Sequence, residues 1–290
     1  ISMATVLIGA VTNIVLDPIF IFGFGMGVQG AALATIIAQA VSAVWVVRFL
    51  TGKRTRLRIQ RRFLRMDFKV LAPVLALGVS PFIMQSTESL VNIAFNASLR
   101  AYGGDPAVGA MTICSSIMQV FFLLLQGIAQ GAQPIVGFNY GSGQLSRVKK
   151  AFRLLLACAL AFSCTACAAL ELLPGLFVAL FNDKPELVSL AVWALRVYSA
   201  GLFMLGIQIA CQQTFVALGQ AKISLFLALL RKIILLIPLV LLLPLFLEDR
   251  VLAVFLAEPA ADILAALTTG SMFLWHFPRI LRRRADELAG

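Results

Sequence analysis

The sequence predicts an all-α protein whose helices cross a lipid bilayer several times. Hydrophobic residues make up 61% of its 290 residues, charged residues make up only 13%, and the mean hydropathy is +0.96. A soluble domain carries about 25% charged residues, so a soluble globule of this composition would expose large apolar patches. A disordered chain would be far more polar. The apolar runs are long and continuous, unlike the alternating strands of an outer-membrane barrel.

Eight apolar stretches are each long enough to span a bilayer, which takes about 20 helical residues. They cover residues 1–22, 27–50, 70–100, 107–137, 150–173, 187–217, 222–246 and 251–277. Glycine and proline punctuate the connections between them. The predicted divisions are a helix pair at 1–50, a basic linker at 51–69, a six-helix unit at 70–278 and a tail at 279–290.

Positive charge alternates from one connection to the next. Arg and Lys are concentrated between Arg48 and Lys69, and again after the fourth and eighth stretches, whereas the intervening turns are poor in them. Since cytoplasmic loops carry an excess of Lys and Arg, we expect the basic linker and the C-terminus in the cytoplasm. A role in nucleic-acid binding is not expected, because the basic run lies between two spanning stretches. An amphipathic surface helix and a solvated loop both fit the linker.

Five acidic residues fall within the apolar stretches or near their ends: Asp17, Glu88, Glu171, Glu258 and Asp262. Placing an ionised acid inside a bilayer costs a few kcal/mol, so each of these residues is expected to have a functional or structural role. No Lys or Arg is expected at mid-depth to pair with them, since Arg231 and Lys232 are assigned to the ends of their stretch. Carboxylates that face a wet cavity are what a cation-coupled transporter requires.

Asp17 has the most informative surroundings. Asn13 precedes it by one helical turn on the same face, and Pro18 follows and cannot donate a backbone hydrogen bond. Carboxylate, amide and free carbonyl together favour a site for a proton or a hard cation. The alternative is a solvated carboxylate near the outer end of its helix.

A polar stripe follows the third stretch at helical spacing, formed by Gln85, Glu88, Asn92 and Asn96. It indicates either a cavity wall or a polar helix interface. The neutral amides of Gln130, Gln208 and Gln212 suit binding or interhelical hydrogen bonds. We assign these amides, with Gln85, Glu88 and Asn92, to a candidate substrate cavity.

Glu258 and Asp262 lie one turn apart and form a possible proton pair, although both could instead bind neighbouring helices. We find no nucleophile beside a base, so no enzymatic activity is expected. The five cysteines fall in apolar stretches, and we expect no metal site and no cofactor apart from a coupling H⁺ or Na⁺.

Four motifs resemble the multidrug and toxic compound extrusion (MATE) family, in its bacterial branch of MepA-type and DinF-type exporters. They are GAVTNIVLDPIF at 9–20, QGIAQGAQPI at 126–135, FNYG at 138–141 and ALGQAK at 217–222. The resemblance implies twelve helices in two six-helix lobes with cytoplasmic termini. This chain would then correspond to the last two helices of the N-lobe and the whole C-lobe, in a bacterial plasma membrane.

The resemblance also implies roles for individual residues. Asn13, Asp17 and Thr35 match a proton network of the N-lobe, and Glu88 falls near an acid of sodium-coupled relatives. A second acid of that sodium site is replaced here by the neutral pair Ile207 and Gln208, which favours coupling in the N-lobe.

The implied function is an H⁺- or Na⁺-coupled antiporter, monomeric at full length, that exports organic and often cationic drugs. Two alternatives stay open. A flippase for lipid-linked precursors would need a basic cavity, whereas Arg196, Arg231 and Lys232 are expected towards helix ends. A non-transporting scaffold would not need intramembrane acids.

The topology can be tested with single cysteines in an otherwise cysteine-free variant. Thr51→Cys and Gln60→Cys should react with a membrane-impermeant thiol reagent only from the cytoplasmic side, because the basic linker is held there. Asp105→Cys, in a turn poor in positive charge, should react only from outside. Labelling of position 51 or 60 in intact cells would reverse the topology.

Overall fold

The computed structural model describes residues 2–52, 68–181 and 184–289, which are helical apart from short turns. The helices are α1 (Ser2–Pro18), π1 (Ile19–Gly23), α2 (Gly27–Thr51), α3 (Phe68–Gly141), α4 (Leu145–Leu172), α5 (Pro174–Ala179), α6 (Pro185–Ser199), α7 (Leu202–Ala217), α8 (Ala221–Leu229), π2 (Leu230–Leu236), α9 (Ile237–Phe246) and α10 (Arg250–Ala289). Residues 53–67 of the predicted linker lie outside the described ranges, and with them the choice between amphipathic helix and loop.

Six helices of the described ranges are long and apolar enough to cross a membrane, and α6 with α7 forms a seventh, bent span. Helix α3 contains more than one crossing. Its 74 residues would measure about 110 Å as a straight helix, several times the roughly 30 Å hydrocarbon core. Gly104 divides it with φ 67° and ψ −164°, a conformation that glycine adopts readily. The prediction of a helical membrane protein with eight apolar segments is therefore confirmed.

The sixth stretch is not the continuous helix that the sequence predicted over 187–217. It breaks between Ser199 and Leu202 and bends by 45°. Gly201 lies at this break and packs closely against α10, since an added Cβ would lie 2.7 Å from Pro259 Cα. The break and the proline of α10 therefore lie against each other.

Contacts divide the chain into two compact units, residues 1–74 and residues 75–290. In the first unit α1 packs against α2. Their surfaces meet at small residues: a Cβ on Gly9 would lie 2.5 Å from Ser42 Oγ, and Ser42 Oγ donates a hydrogen bond to Thr5 O at 3.3 Å. Small residues allow this close approach of helices where no water is available to drive apolar burial.

The second unit is built around α7 and α10. Helix α7 packs against α4, and α10 packs against α6, α7, π2 and α9. Between α4 and α7, Ser163 Oγ donates to Phe203 O at 3.1 Å. At the end of the unit nearer the C-terminus, Phe152, Phe273 and Phe277 stack with ring centroids 4.3 to 5.4 Å apart. Helix α10 continues to Ala289, so the predicted boundary at 278 falls within it.

The contact between α4 and α7 gives a stability prediction. An added Cβ at Gly206 would lie 2.5 Å from Ser163 Oγ and 2.7 Å from Ala159 O. Because part of this clash is with backbone, Gly206→Ala should cost about 1–3 kcal/mol and lower the melting temperature of purified protein in detergent.

Gly127→Ala is the matched control, since a Cβ there meets nothing within 4 Å and alanine is the better helix former. It should leave the melting temperature unchanged or raise it. Equal shifts in the two variants would contradict the close packing at Gly206.

Candidate functional site

The first unit carries a polar groove between α1 and α2. It has a volume of about 330 Å³ and is lined by Asn13, Thr35, Gln39 and Ser42, together with the small residues Gly9, Ala10 and Ala38. Asn13 Nδ2 donates a hydrogen bond to Asp17 Oδ1 at 3.1 Å. The carboxylate is therefore connected to the groove through the amide of Asn13.

Pro18 explains the backbone geometry beside Asp17. It closes α1 and is followed directly by the π-helical turn Ile19–Gly23. A proline has no N–H, so the carbonyl one turn earlier lacks its usual donor, and the wider turn is a common adaptation to a disrupted ladder. The Asp17 carboxylate thus lies beside a change in backbone pattern.

The structure brings Asn13 and Asp17 into direct contact and places Thr35 on the same groove as Asn13. The Thr35 hydroxyl donates to Ala31 O of its own helix at 3.0 Å. It is thus directed along α2 and does not bind Asp17.

The second unit carries a charged cluster that starts from π2. A π-turn holds one more residue than an α-turn, which changes the direction of the side chains after it. Two basic residues are adjacent in this turn, and their side chains contact two different helices. Arg231 binds Glu258 and Asp262 of α10, and Lys232 binds Glu88 of α3.

The pairs of Arg231 are short and buried. Its Nε donates to Asp262 Oδ1 at 2.7 Å, and its Nη2 donates to Glu258 Oε1 at 2.9 Å. The Asp262 side chain is only 1% exposed. Counting Glu88 and Lys232, three acids face two bases, which leaves one negative charge in excess when all are ionised.

The expectation that no base lies at mid-depth beside these acids is wrong. Arg231 and Lys232 lie near the middle of the Lys222–Phe246 span, not at its end. The sequence predicts a regular helix for this span. It does not show the π-turn, which changes the directions of the Arg231 and Lys232 side chains.

A cavity of about 80 Å³ adjoins the cluster. Its polar lining consists of Gln126, Gln208, Gln212, Gln213, Arg231 and Lys232. Gln213 Nε2 donates to Gln126 Oε1 at 3.0 Å, and Gln212 Nε2 donates to Ser224 O at 3.4 Å. Gln208 Oε1 is buried and, among the described residues, has no hydrogen-bond partner.

The sequence-assigned cavity residues are only partly together. Gln208 and Gln212 line this cavity, and Glu88 is linked to it through Lys232. Asn92 and Gln130 are exposed and are not among the lining residues. The side chain of Gln85 lies outside the described part of the structure.

Four polar lining residues were not assigned to the cavity from sequence: Gln126, Gln213, Arg231 and Lys232. For two of them the sequence held a local signal, since Gln126 lies one helical turn before Gln130 and Gln213 is adjacent to Gln212. For Arg231 and Lys232 it held none.

Comparison with known proteins places this architecture in a family. The MatE family model matches residues 81–242, more than half of the chain. The multidrug export protein MepA of Staphylococcus haemolyticus is 27% identical over 77% of this chain and 49% of its own length. A MepA of Staphylococcus aureus strain NCTC 8325 is 24% identical over 80% of this chain and 51% of its own. The chain spans about half the length of these relatives.

Solved structures show the same fold. A crystal structure of MATE in the bent conformation aligns with a TM-score of 0.84 at 22% identity, covering 98% of this chain and 63% of that one. A Pyrococcus furiosus transporter of the MOP superfamily, described for the reverse polarity of its binding pocket, aligns with a TM-score of 0.84 at 23% identity over 97% of this chain and 63% of its own. The resemblance inferred from the four motifs is confirmed, and the chain belongs to the MatE family.

Proposed function

We propose that the protein acts in a multi-pass transporter of a bacterial plasma membrane, which exports organic drugs in exchange for H⁺ or Na⁺. The relatives named as multidrug export proteins support export. The observation that carries the coupling is the Asp17 carboxylate, held by Asn13 within an apolar span beside a polar groove.

Charge balance distinguishes Asp17 from Glu88, Glu258 and Asp262. Each of these three acids forms an ion pair with Arg231 or Lys232. Within the described residues of its own unit, Asp17 accepts a hydrogen bond from a neutral amide and forms no ion pair. An uncompensated carboxylate in an apolar span favours a mobile counter-charge, and a proton or Na⁺ that binds and leaves is such a charge.

Glu258 and Asp262 are the second candidate for coupling. Arg231 donates to both carboxylates and therefore competes with any cation for their oxygens. We propose Asp17 as the principal coupling residue, with Asn13 positioning it and Thr35 lining the access groove.

The proposed substrates are amphiphilic organic cations, moved by alternating access. A lipid-linked precursor flippase is the second candidate function, and one observation favours it: Arg231 and Lys232 line a cavity, as phosphate recognition would require.

The coupling proposal predicts the effect of Asp17→Asn in the protein expressed from its whole reading frame. In liposomes, wild-type protein should drive accumulation of the cationic dye ethidium against an imposed H⁺ or Na⁺ gradient. Asp17→Asn should reduce this at least tenfold, because an amide cannot exchange a proton or compensate Na⁺, while its melting temperature stays near wild type.

Glu171→Gln is the matched control. Glu171 is another acid of an apolar span, and its Oε1 accepts a hydrogen bond from Ser199 at 3.5 Å within the second unit. It should keep wild-type transport. Gradient-driven transport at the wild-type rate by Asp17→Asn would refute coupling at this residue.

A further inference from the structure

We propose that the cavity lined by Arg231 and Lys232 binds the carboxylate of an amphiphilic substrate that also carries an N–H or O–H donor. This inference rests on the proposed export function and extends its substrates beyond organic cations. Four observations support it: the polarity of the lining, the exposure of the two ion pairs, an unpartnered amide oxygen and the cavity's size.

The cavity presents positive charge and amide groups. Its described lining contains two bases and four glutamines and no acid. The acids that neutralise the bases lie on other sides of them: Glu258 and Asp262 on α10, and Glu88 on α3. An anionic group entering the cavity therefore meets donors and cations first.

The ion pair between Lys232 and Glu88 is partly exposed, so a ligand can replace Glu88 as the partner of Lys232. The Lys232 side chain is 17% exposed, whereas its partner Glu88 is 48% exposed. An incoming carboxylate can take the place of Glu88 on Lys232, so one charge-assisted bond replaces another. Arg231 stays in place, because its Nε and Nη2 bind two buried acids. Its Nη1 takes no part in those bonds.

Gln208 offers an acceptor for the N–H or O–H donor of the proposed substrate. Gln208 lines the cavity. Its Oε1 is buried and has no hydrogen-bond partner among the described residues, and the residue is only 3% exposed. A buried acceptor without a donor carries an energetic cost. A ligand N–H or O–H close to the carboxylate would remove that cost.

The size of the cavity limits what enters it. Pockets for whole drug-sized ligands measure about 300–1,000 Å³, whereas this one measures about 80 Å³. It has room for one polar group and a few waters. It therefore serves as a subsite that recognises the acidic end of a larger molecule.

Binding of dansyl-phenylalanine and its methyl ester tests the proposal. The acid carries a carboxylate next to a sulfonamide N–H, and the ester replaces that carboxylate with an uncharged methyl ester. Fluorescence titration of the purified protein in phosphatidylcholine nanodiscs should show the acid binding about tenfold more tightly than the ester. In Glu88→Gln/Lys232→Gln, which removes both charges together, this ratio should fall to about one while the ester still binds.

Two further variants sharpen the result. Gln212→Glu leaves both ion pairs intact but places a carboxylate in the cavity, so it should also abolish the preference for the acid. This variant tests the subsite even where the double variant folds poorly. Lys222→Gln is the matched control, since Lys222 is an exposed base of the same span outside the cavity, and it should keep the wild-type ratio.

A wild-type ratio of one, or a tenfold ratio that survives in Gln212→Glu, overturns the proposal. So does loss of the preference when phosphatidylglycerol is added to the nanodiscs, because a lipid phosphate would then be the occupant. An unchanged preference in that lipid supports the carboxylate. Asp17→Asn should keep the binding ratio while it loses transport, so failure of the subsite and failure of the proposed function give different results.

Discussion

A buried guanidinium organises the second unit. In an apolar span no water compensates an ionised side chain, so Glu258 and Asp262 depend on Arg231. Three departures from regular helix meet at this cluster. The π-turn directs Arg231 towards α10, Pro259 lies between its two acceptors, and the break between α6 and α7 packs against them, with an added Cβ at Gly201 only 3.1 Å from Asp262 Cβ.

The same need for compensation separates structural from functional acids. A carboxylate with a permanent basic partner has little affinity left for a mobile cation, and it serves to fix helices. Asp17 has a neutral partner among the described residues of its unit and lies beside a groove, which is why we propose that a mobile ion balances its charge. Glu171 also binds a neutral partner, but it lies in the last turn of α4, so both the partner and the position in the span distinguish these acids.

Composition and local pattern were sufficient to predict the helical class, the eight apolar segments and the contact of Asn13 with Asp17, because these depend on neighbours in sequence. They could not predict the ion pairs of Arg231 and Lys232, whose partners lie 27, 31 and 144 residues away. Nor could they predict the break at Gly201, since small residues also occur within unbroken spans, at helix–helix interfaces. Those features arise only when helices from distant parts of the chain pack together.

The adjacent bases Arg231 and Lys232 differ in how far their ion pairs are buried, and the two pairs therefore differ in strength. Breaking a buried ion pair by removing one partner costs about 3–5 kcal/mol. Arg231, enclosed with Asp262, belongs to this class, whereas Glu88, the partner of Lys232, is half exposed. A single π-turn thus joins a fixed contact with α10 to an exchangeable contact with α3. Any ligand that displaces Glu88 acts on the link to α3 and leaves the link to α10 in place.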